Sequence, residues 1–209
     1  MSNKGNLIVI SAPSGSGKTS LAELLLAEVD RMNFSVSHTT RPARRGEKNA
    51  VEYFFVSVEE FEEMIEAGQF LEYAHVYGNY YGTSSSFVQA ELARGNDVLL
   101  DIDIQGALKI KKLMPQVIMI FVLPPSFEVL KERLKGRGLD DEVVIEKRLQ
   151  VAKDEIEYYV NYDFVIINEE IERSLQELKS IVMAARCRTV GRREQAEKIV
   201  QTFFESTDG

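Results

Sequence analysis

The sequence predicts an α/β fold: a doubly wound parallel sheet carrying an inserted mixed α/β module and a pair of helices placed to act as a lid. Three observations predict it. Short, β-branched, nearly continuous apolar runs alternate with segments whose apolar residues recur at three and four, the pattern of strands covered on both faces by helices. A glycine-rich turn joins the first such run to the first helix. Between Phe34 and about residue 95 the texture changes to short strands separated by turns, which marks an insertion.

The core strands are expected at residues 6–11, Val98–Ile102, Val117–Leu123 and Phe164–Ile167, and the helices at 105–114, 126–135, 141–159 and 170–188. Inside the insertion, Phe34–Ser37, Glu52–Val56, Phe70–Val76 and Tyr80–Gly82 read as strands and Val58–Ala67 as the one clear helix. Short connections there favour antiparallel pairing. The division that follows is a core of residues 5–33, 96–125 and 160–190, an insertion at 34–95, a lid at about 126–159, and a helical, charge-rich tail at 191–209. The stretch Lys135–Asp141 combines two glycines with cations, the composition of a loop that closes over a ligand or of a plain inter-helix connection. Whether Val200, Phe203 and Phe204 of the tail pack on the core or on another subunit is left open by the sequence.

Composition bounds the function. The 209 residues are 44% hydrophobic, enough for one good core, and the formal net charge of −8 argues against a broad nucleic-acid or anionic-membrane surface. No apolar run approaches the length of a membrane span, and the opening residues do not resemble a secretion signal, so the expectation is a cytoplasmic protein. Cys187 is the sole cysteine, which excludes an internal disulfide. His38 and His75 lack metal-ligand spacing and read as structural histidines.

The residues that carry chemistry begin at Ala12-Pro13-Ser14-Gly15-Ser16-Gly17-Lys18-Thr19, immediately after Leu7-Ile8-Val9-Ile10. Small residues let successive backbone N–H groups turn inward on an anion. Lys18 reaches outer phosphates, and Thr19 opens a helix whose positive end faces the same anion while its hydroxyl can hold Mg²⁺. This is a P-loop, and it implies a nucleoside triphosphate. Ala12 stands where the pattern GxxxxGK has its first glycine, so the turn has to form there without a positive φ. A second cluster, Thr39 to Glu47, puts Arg41 and Arg44 in a proline- and glycine-containing loop where their guanidinium forks can converge on one phosphate, with Tyr53 and Tyr81 as further donors. Alone it reads as a solvated loop. Beside a P-loop it reads as an acceptor clamp facing a donor cradle. Asp101 ends an apolar strand, where a carboxylate either addresses Mg²⁺ or orients Lys18.

APSGSGKT, SVSHTTRPARRGE, YFFV, FLEYAHVYGNYYGTS, LLDIDIQGA and the KGRG…EKRL pair occur in the order and spacing of the guanylate kinases, and from residue 5 to about 190 the chain resembles that family. The resemblance implies a P-loop nucleoside monophosphate kinase with ATP and GMP as substrates and Mg²⁺ as cofactor. It implies guanine contacts at Ser37, Glu72, Thr83 and Asp103, with the Glu72 carboxylate accepting from N1–H and N2–H₂ and the Thr83 hydroxyl donating to O6. It assigns the GMP phosphate to Arg41, Arg44, Tyr53 and Tyr81, the triphosphate to Arg133, Arg137 and Arg148, and an adenine contact to Asn168. Arg133 and Arg148 also fit helix-surface ion pairs. Glu169-Glu170 departs from the Asp-Asp frequent in the family. A catalytically silent binding module and a kinase for another phosphorylated acceptor are the competing readings.

Overall fold

The computed structural model describes residues 4–76, 78–136 and 142–205. In chain order its elements are β1 (Leu7–Ser11), α1 (Lys18–Glu28), β2 (Met32–Phe34), β3 (His38–Thr39), β4 (Phe54–Phe55), α2 (Val58–Glu66), β5 (Phe70–Val76) and β6 (Asn79–Ser84). There follow α3 (Ser85–Ala93), β7 (Asp97–Asp101), α4 (Ile104–Leu113), β8 (Ile118–Leu123), α5 (Phe127–Gly136), α6 (Glu142–Ile156), a 3-10 turn at Glu157–Asn161, β9 (Phe164–Ile167), α7 (Ile171–Arg186) and α8 (Thr189–Glu205).

Five strands pair in parallel in the order β2-β7-β1-β8-β9. Alternate residues of the strands feed two separate cores. Ile8, Ile10, Leu99, Ile120 and Ile166 pack with Leu21 and Leu25 of α1 and Leu178 and Val182 of α7. Leu7, Val9, Val98, Leu100 and Met119 pack on the other face with Ala107 and Ile110 of α4. Both faces are covered, which is why these strands are apolar without alternation. The chain leaves β1 towards β7 on one side and reaches β8 on the other, so the sheet has its switch point at the carboxyl end of β1, where a ligand crevice forms in such sheets. The P-loop occupies that point. Leu130 and Leu134 of α5 and Ile145, Leu149 and Ala152 of α6 form a third cluster joining the two helices.

A second sheet runs β4-β3-β6-β5. Its β5–β6 and β3–β6 pairs are antiparallel as expected, but β3 and β4 run parallel, because the connection from residue 40 to 53 is long enough for a crossover. The strand expected at Phe34–Ser37 is also corrected. Met32–Phe34 forms the strand, and it belongs to the core sheet, where buried Met32 and packed Phe34 join the α1/α7 core. Helix α3 was not anticipated within the stretch 34–95. It buries Val88 and Leu92 with Val9 and Leu100 of the core sheet, and it starts at Ser84, whose hydroxyl accepts from Phe87 N–H. The helix expected over 141–159 ends at Ile156 and tightens into the 3-10 turn. Helix α8 leaves Ile199, Val200 and Phe203 exposed. Among the described residues no helix is long and apolar enough to cross a membrane.

One buried carboxylate fastens the ends of three elements. Asp97, 3% exposed at its side chain, accepts from Asn6 N and Nδ2 at 2.7 and 2.9 Å ahead of β1 and from Arg186 Nε at 2.7 Å at the end of α7. Arg186 also donates to the Asp30 carbonyl at 2.6 Å. Asp97→Ala leaves Arg186 without its counter-charge, and the expected loss in urea unfolding is about 3 kcal/mol, at the low end for a broken buried pair because Arg186 keeps Asp30. A loss below about 1 kcal/mol contradicts this account.

Candidate active site

The P-loop leaves β1 through Ala12, whose backbone is unstrained: among the described residues Arg31 and Ala50 are the non-glycine residues with positive φ. Its methyl packs against the α1/α7 core, which accounts for an alanine at this position. Pro13 is buried and Ser14 exposed. The glycines are required three and five positions after Ala12, at Gly15 (φ 95°) and Gly17 (φ 89°). At Gly17 space matters as well as angle, since a Cβ there would come within 2.2 Å of Asn168 Nδ2. That amide, buried after β9, donates to the Ser16 carbonyl at 2.7 Å and ties the loop to the neighbouring strand. At Gly15 a Cβ would meet Leu134 of α5 at 2.9 Å.

Helices α5 and α6 bring cations to this loop. Arg133 Nη2 donates to the Asn168 carbonyl at 2.9 Å, and Arg148 Nη2 donates to Ser14 Oγ. Both therefore turn inward on the P-loop. Arg137 lies outside the described residues, as does most of the loop expected at Lys135–Asp141. Lys18 Nζ is paired with Asp101 Oδ1 at the end of β7. Three buried polar atoms around the loop, Ser16 Oγ, Arg133 Nη1 and Asn168 Oδ1, have no hydrogen-bond partner among the described residues. Buried polar groups are rarely left so, and three together mark a place where a polar ligand completes the structure.

The second sheet carries the other cluster. The Arg41 guanidinium makes a forked pair with Glu47 at 2.8 and 3.0 Å and lies 5.3 Å from the Tyr53 ring centroid and 5.8 Å from that of Phe55. The hydrogen bond from Arg41 holds the Glu47 carboxyl below its ordinary range, and the same bond raises Arg41. Glu47 also accepts from Arg44 N at 2.7 Å, so one carboxylate shapes the whole arginine loop. The Arg44 side chain is exposed; Tyr53 and Tyr81 stand edge to face at 5.9 Å. Ser37 is half-buried where β3 begins, and its carbonyl accepts from Phe54 N. Glu47 lies within the quoted arginine motif yet has no assigned role on sequence; its signal is a carboxylate six residues from Arg41 in a glycine-bearing turn.

Glu72 on β5 and Thr83 on β6 are register partners, 6% and 0% exposed. Thr83 Oγ1 donates to Glu72 Oε1 at 2.8 Å. A hydroxyl has one proton, so in this state Thr83 positions Glu72, and donation to another acceptor requires that bond to exchange. Burial pushes the Glu72 carboxyl up to about 7; the Thr83 hydroxyl and Lys109 oppose the rise, and Asp103 adds to it. Asp103 caps α4, its Oδ1 accepting from Gln105 N at 2.7 Å and Gly106 N at 3.1 Å. Glu155 of α6, absent from the sequence-based set, faces the same corner: burial raises its carboxyl while Lys18 draws it down. His38 stacks on Phe54 at 4.7 Å, and His75 meets Tyr80 edge-on, so both are packing residues.

The model of the guanylate kinase family matches residues 4–185. The chain belongs to the guanylate kinase family. Among its relatives, the guanylate kinase of Neisseria gonorrhoeae is 54% identical over 183 residues, covering 88% of this chain and 89% of that one. The guanylate kinase of Saccharophagus degradans is 46% identical over 204 residues, covering 98% of this chain and all of its own length. The crystal structure of guanylate kinase from Anaplasma phagocytophilum superposes with a TM-score of 0.76 at 35% identity, covering 91% of each chain. Among the described residues no three His, Cys, Asp or Glu side chains form a metal-holding group. What is present, the exposed Thr19 hydroxyl and the Asp101 carboxylate, is an oxygen donor set suited to Mg²⁺, which keeps waters and takes most remaining ligands from phosphates.

Glu72 makes the stability of this chain depend on pH. Its carboxyl rises from 4.5 unfolded to about 7 folded, so between those values the folded chain holds a proton that the unfolded chain has released, and stability falls as pH rises through this window. Glu72→Gln, neutral throughout and still able to accept from Thr83, removes that slope. Urea unfolding at pH 4.5 and pH 7.5 is expected to show the wild type losing up to about 3 kcal/mol relative to the variant. Parallel curves contradict the burial argument.

Proposed function

We propose that this chain transfers the γ-phosphoryl group of ATP to the phosphate of GMP, giving ADP and GDP. The observation that carries the reading is the approach of two cation-bearing clusters, the P-loop at the switch point of the core sheet and the arginine loop of the second sheet, whose Tyr53 lies within the field of Asp101 beside Lys18, with a buried carboxylate–hydroxyl pair on the second sheet.

On the donor side, residues 14–19 take the β- and γ-phosphates on backbone N–H groups, and Lys18 turns from Asp101 to the phosphate oxygens. Ser16 Oγ and Arg133 Nη1 gain the partners they lack in the free chain. Asn168 Oδ1, likewise unpartnered, is the acceptor for an adenine amino group. Arg133, Arg148 and, by family resemblance, Arg137 surround the moving group, whose transition state spreads charge over its oxygens. Mg²⁺ bound with ATP supplies further neutralisation of those oxygens, with Thr19 and Asp101 as its protein-side oxygens.

On the acceptor side, Arg41, Arg44, Tyr53 and Tyr81 hold the GMP phosphate. Arg41 is already flattened over Tyr53 by Glu47, so little side-chain freedom is lost on binding. Ionised Glu72 accepts from guanine N1–H and N2–H₂. Those donors weaken the call on the Thr83 proton, which is then available to O6, while Ser37 and Asp103 border the base. Adenine presents a different pattern, and a site built to accept from two N–H groups leaves the carboxylate unpaired when it meets one. The attacking phosphate is already an anion, so positioning and charge stabilisation carry the reaction without a general base. The same reading assigns the activity to the cytoplasm.

Lys18→Met is expected to lower kcat by ~10²-fold or more in a chain that still folds, since it deletes one positioned charge and its pairing with Asp101 without touching either core. Near wild-type turnover in a folded variant refutes the donor-site assignment. Arg44→Ala is expected to raise KM for GMP by ~10-fold or more while KM for ATP stays within about twofold. Equal effects on both substrates contradict a separate acceptor clamp.

A further inference from the structure

Gly106 lies in the first turns of α4 with no positive φ, where alanine is the better helix former. The reason for glycine has to be space. An ideal Cβ at this position falls 2.6 Å from Glu72 Oε2, 3.1 Å from Glu72 Cδ and 3.5 Å from Ile102 Cδ1. The room that a methyl group would occupy is filled by one oxygen of the buried carboxylate.

We infer that Gly106 is a positioning residue for base selectivity: its missing side chain is the notch that seats Glu72 Oε2 and so fixes the plane of the carboxylate. This rests on the reading of Glu72 as the guanine acceptor. The carboxylate is gripped from two directions, by the Thr83 hydroxyl on Oε1 and by the bare backbone of α4 beside Oε2. Neither support shifts easily. Thr83 faces Glu72 across the β5–β6 ladder, and the first turn of α4 is anchored by Asp103, whose Oδ1 takes the N–H groups of Gln105 and Gly106 itself. One turn further on, Lys109 Nζ donates to the Tyr73 carbonyl and binds α4 to β5.

A methyl group at 106 therefore meets the movable end of a side chain whose backbone is held on both sides. The response of least cost is rotation of the Glu72 carboxylate, not displacement of α4 or β5. The fold is spared and the acceptor geometry is lost. A carboxylate turned out of plane no longer meets two parallel N–H groups of one ring edge, whereas the P-loop, formed by other elements, is untouched.

The test is a double-mutant cycle of Gly106→Ala and Glu72→Gln, read as melting temperature, KM for ATP, and kcat/KM for GMP and for AMP. Gly106→Ala in the wild-type background is expected to keep the melting temperature and KM for ATP, to raise KM for GMP by ~10-fold or more, and to lower the GMP-over-AMP ratio to a similar degree. In the Glu72→Gln background, where the reading is already broken, it is expected to change that ratio less than about twofold. If Glu72→Gln damages selectivity but Gly106→Ala does not, or if Gly106→Ala lowers the ratio equally in both backgrounds, the inference is overturned and the reading of Glu72 stands. A Gly106→Ala chain that fails to fold also overturns it, because then the backbone and not the carboxylate has yielded. If Glu72→Gln leaves the ratio unchanged, both fall.

Discussion

A loop that holds an anion with backbone N–H groups has to keep its shape when no anion is present, although those N–H groups then have nothing to bind. In this chain the burden falls on one buried amide. Asn168, at the end of β9, donates to the Ser16 carbonyl from a position that exists because Gly17 has no side chain. The same residue offers its carbonyl to Arg133. Removing the amide would release the loop from the strand beside it, while the backbone carbonyl would keep Arg133. The arrangement is possible because β1, β8 and β9 are adjacent parallel strands ending on one side of the sheet. Strand order thus places the clamp, and the clamp places the donor site.

The acceptor side solves a similar problem with charge. Arginines meant for a phosphate would wander in its absence, and Glu47 prevents this by accepting from both the Arg41 side chain and the Arg44 backbone. Glu72 is treated in the opposite way. Where Glu47 is kept ionised by its partner, Glu72 is buried beside a neutral hydroxyl and pushed up to about 7, so that a ligand offering two N–H groups has more to give it than the protein does. One carboxylate organises the arginine loop, and the other is the acceptor that the proposed function assigns to the base.

Much of this was legible in the sequence because it is local. The P-loop follows from small residues between a strand and a helix, and the unstrained turn at Ala12 follows from its having a Cβ at all. Arg41 and Arg44 read as a clamp only because a P-loop stands in the same chain; alone they read as a solvated loop. Glu72 carries no local signal: an exposed strand glutamate and a buried one look alike until β6 and α4 are placed around it, and family resemblance alone singled it out. The Asn168 clamp joins positions 152 residues apart, beyond the reach of any local pattern. Other features were missed though their signals were present. Asp103 ahead of an apolar-periodic run is a helix-cap signature, and the serines at 84–86 announce α3, whose weak two-residue apolar face concealed it. Phe34 was drawn into the insertion and Met32–Asn33 was not read as strand, because three residues are too few to show a period.

The central claim is that donor and acceptor phosphates are held by separate sheets facing one cleft, with the base read at Glu72. A crystal structure with adenosine and guanosine joined through a chain of five phosphates tests it in one experiment. The account predicts one end of the chain on the backbone of residues 14–19 with Lys18 withdrawn from Asp101, the other end between Arg41, Arg44, Tyr53 and Tyr81, and guanine N1–H and N2–H₂ on the Glu72 carboxylate. Guanine seated away from Glu72, or a phosphate chain that leaves the Arg41 loop empty, would contradict it.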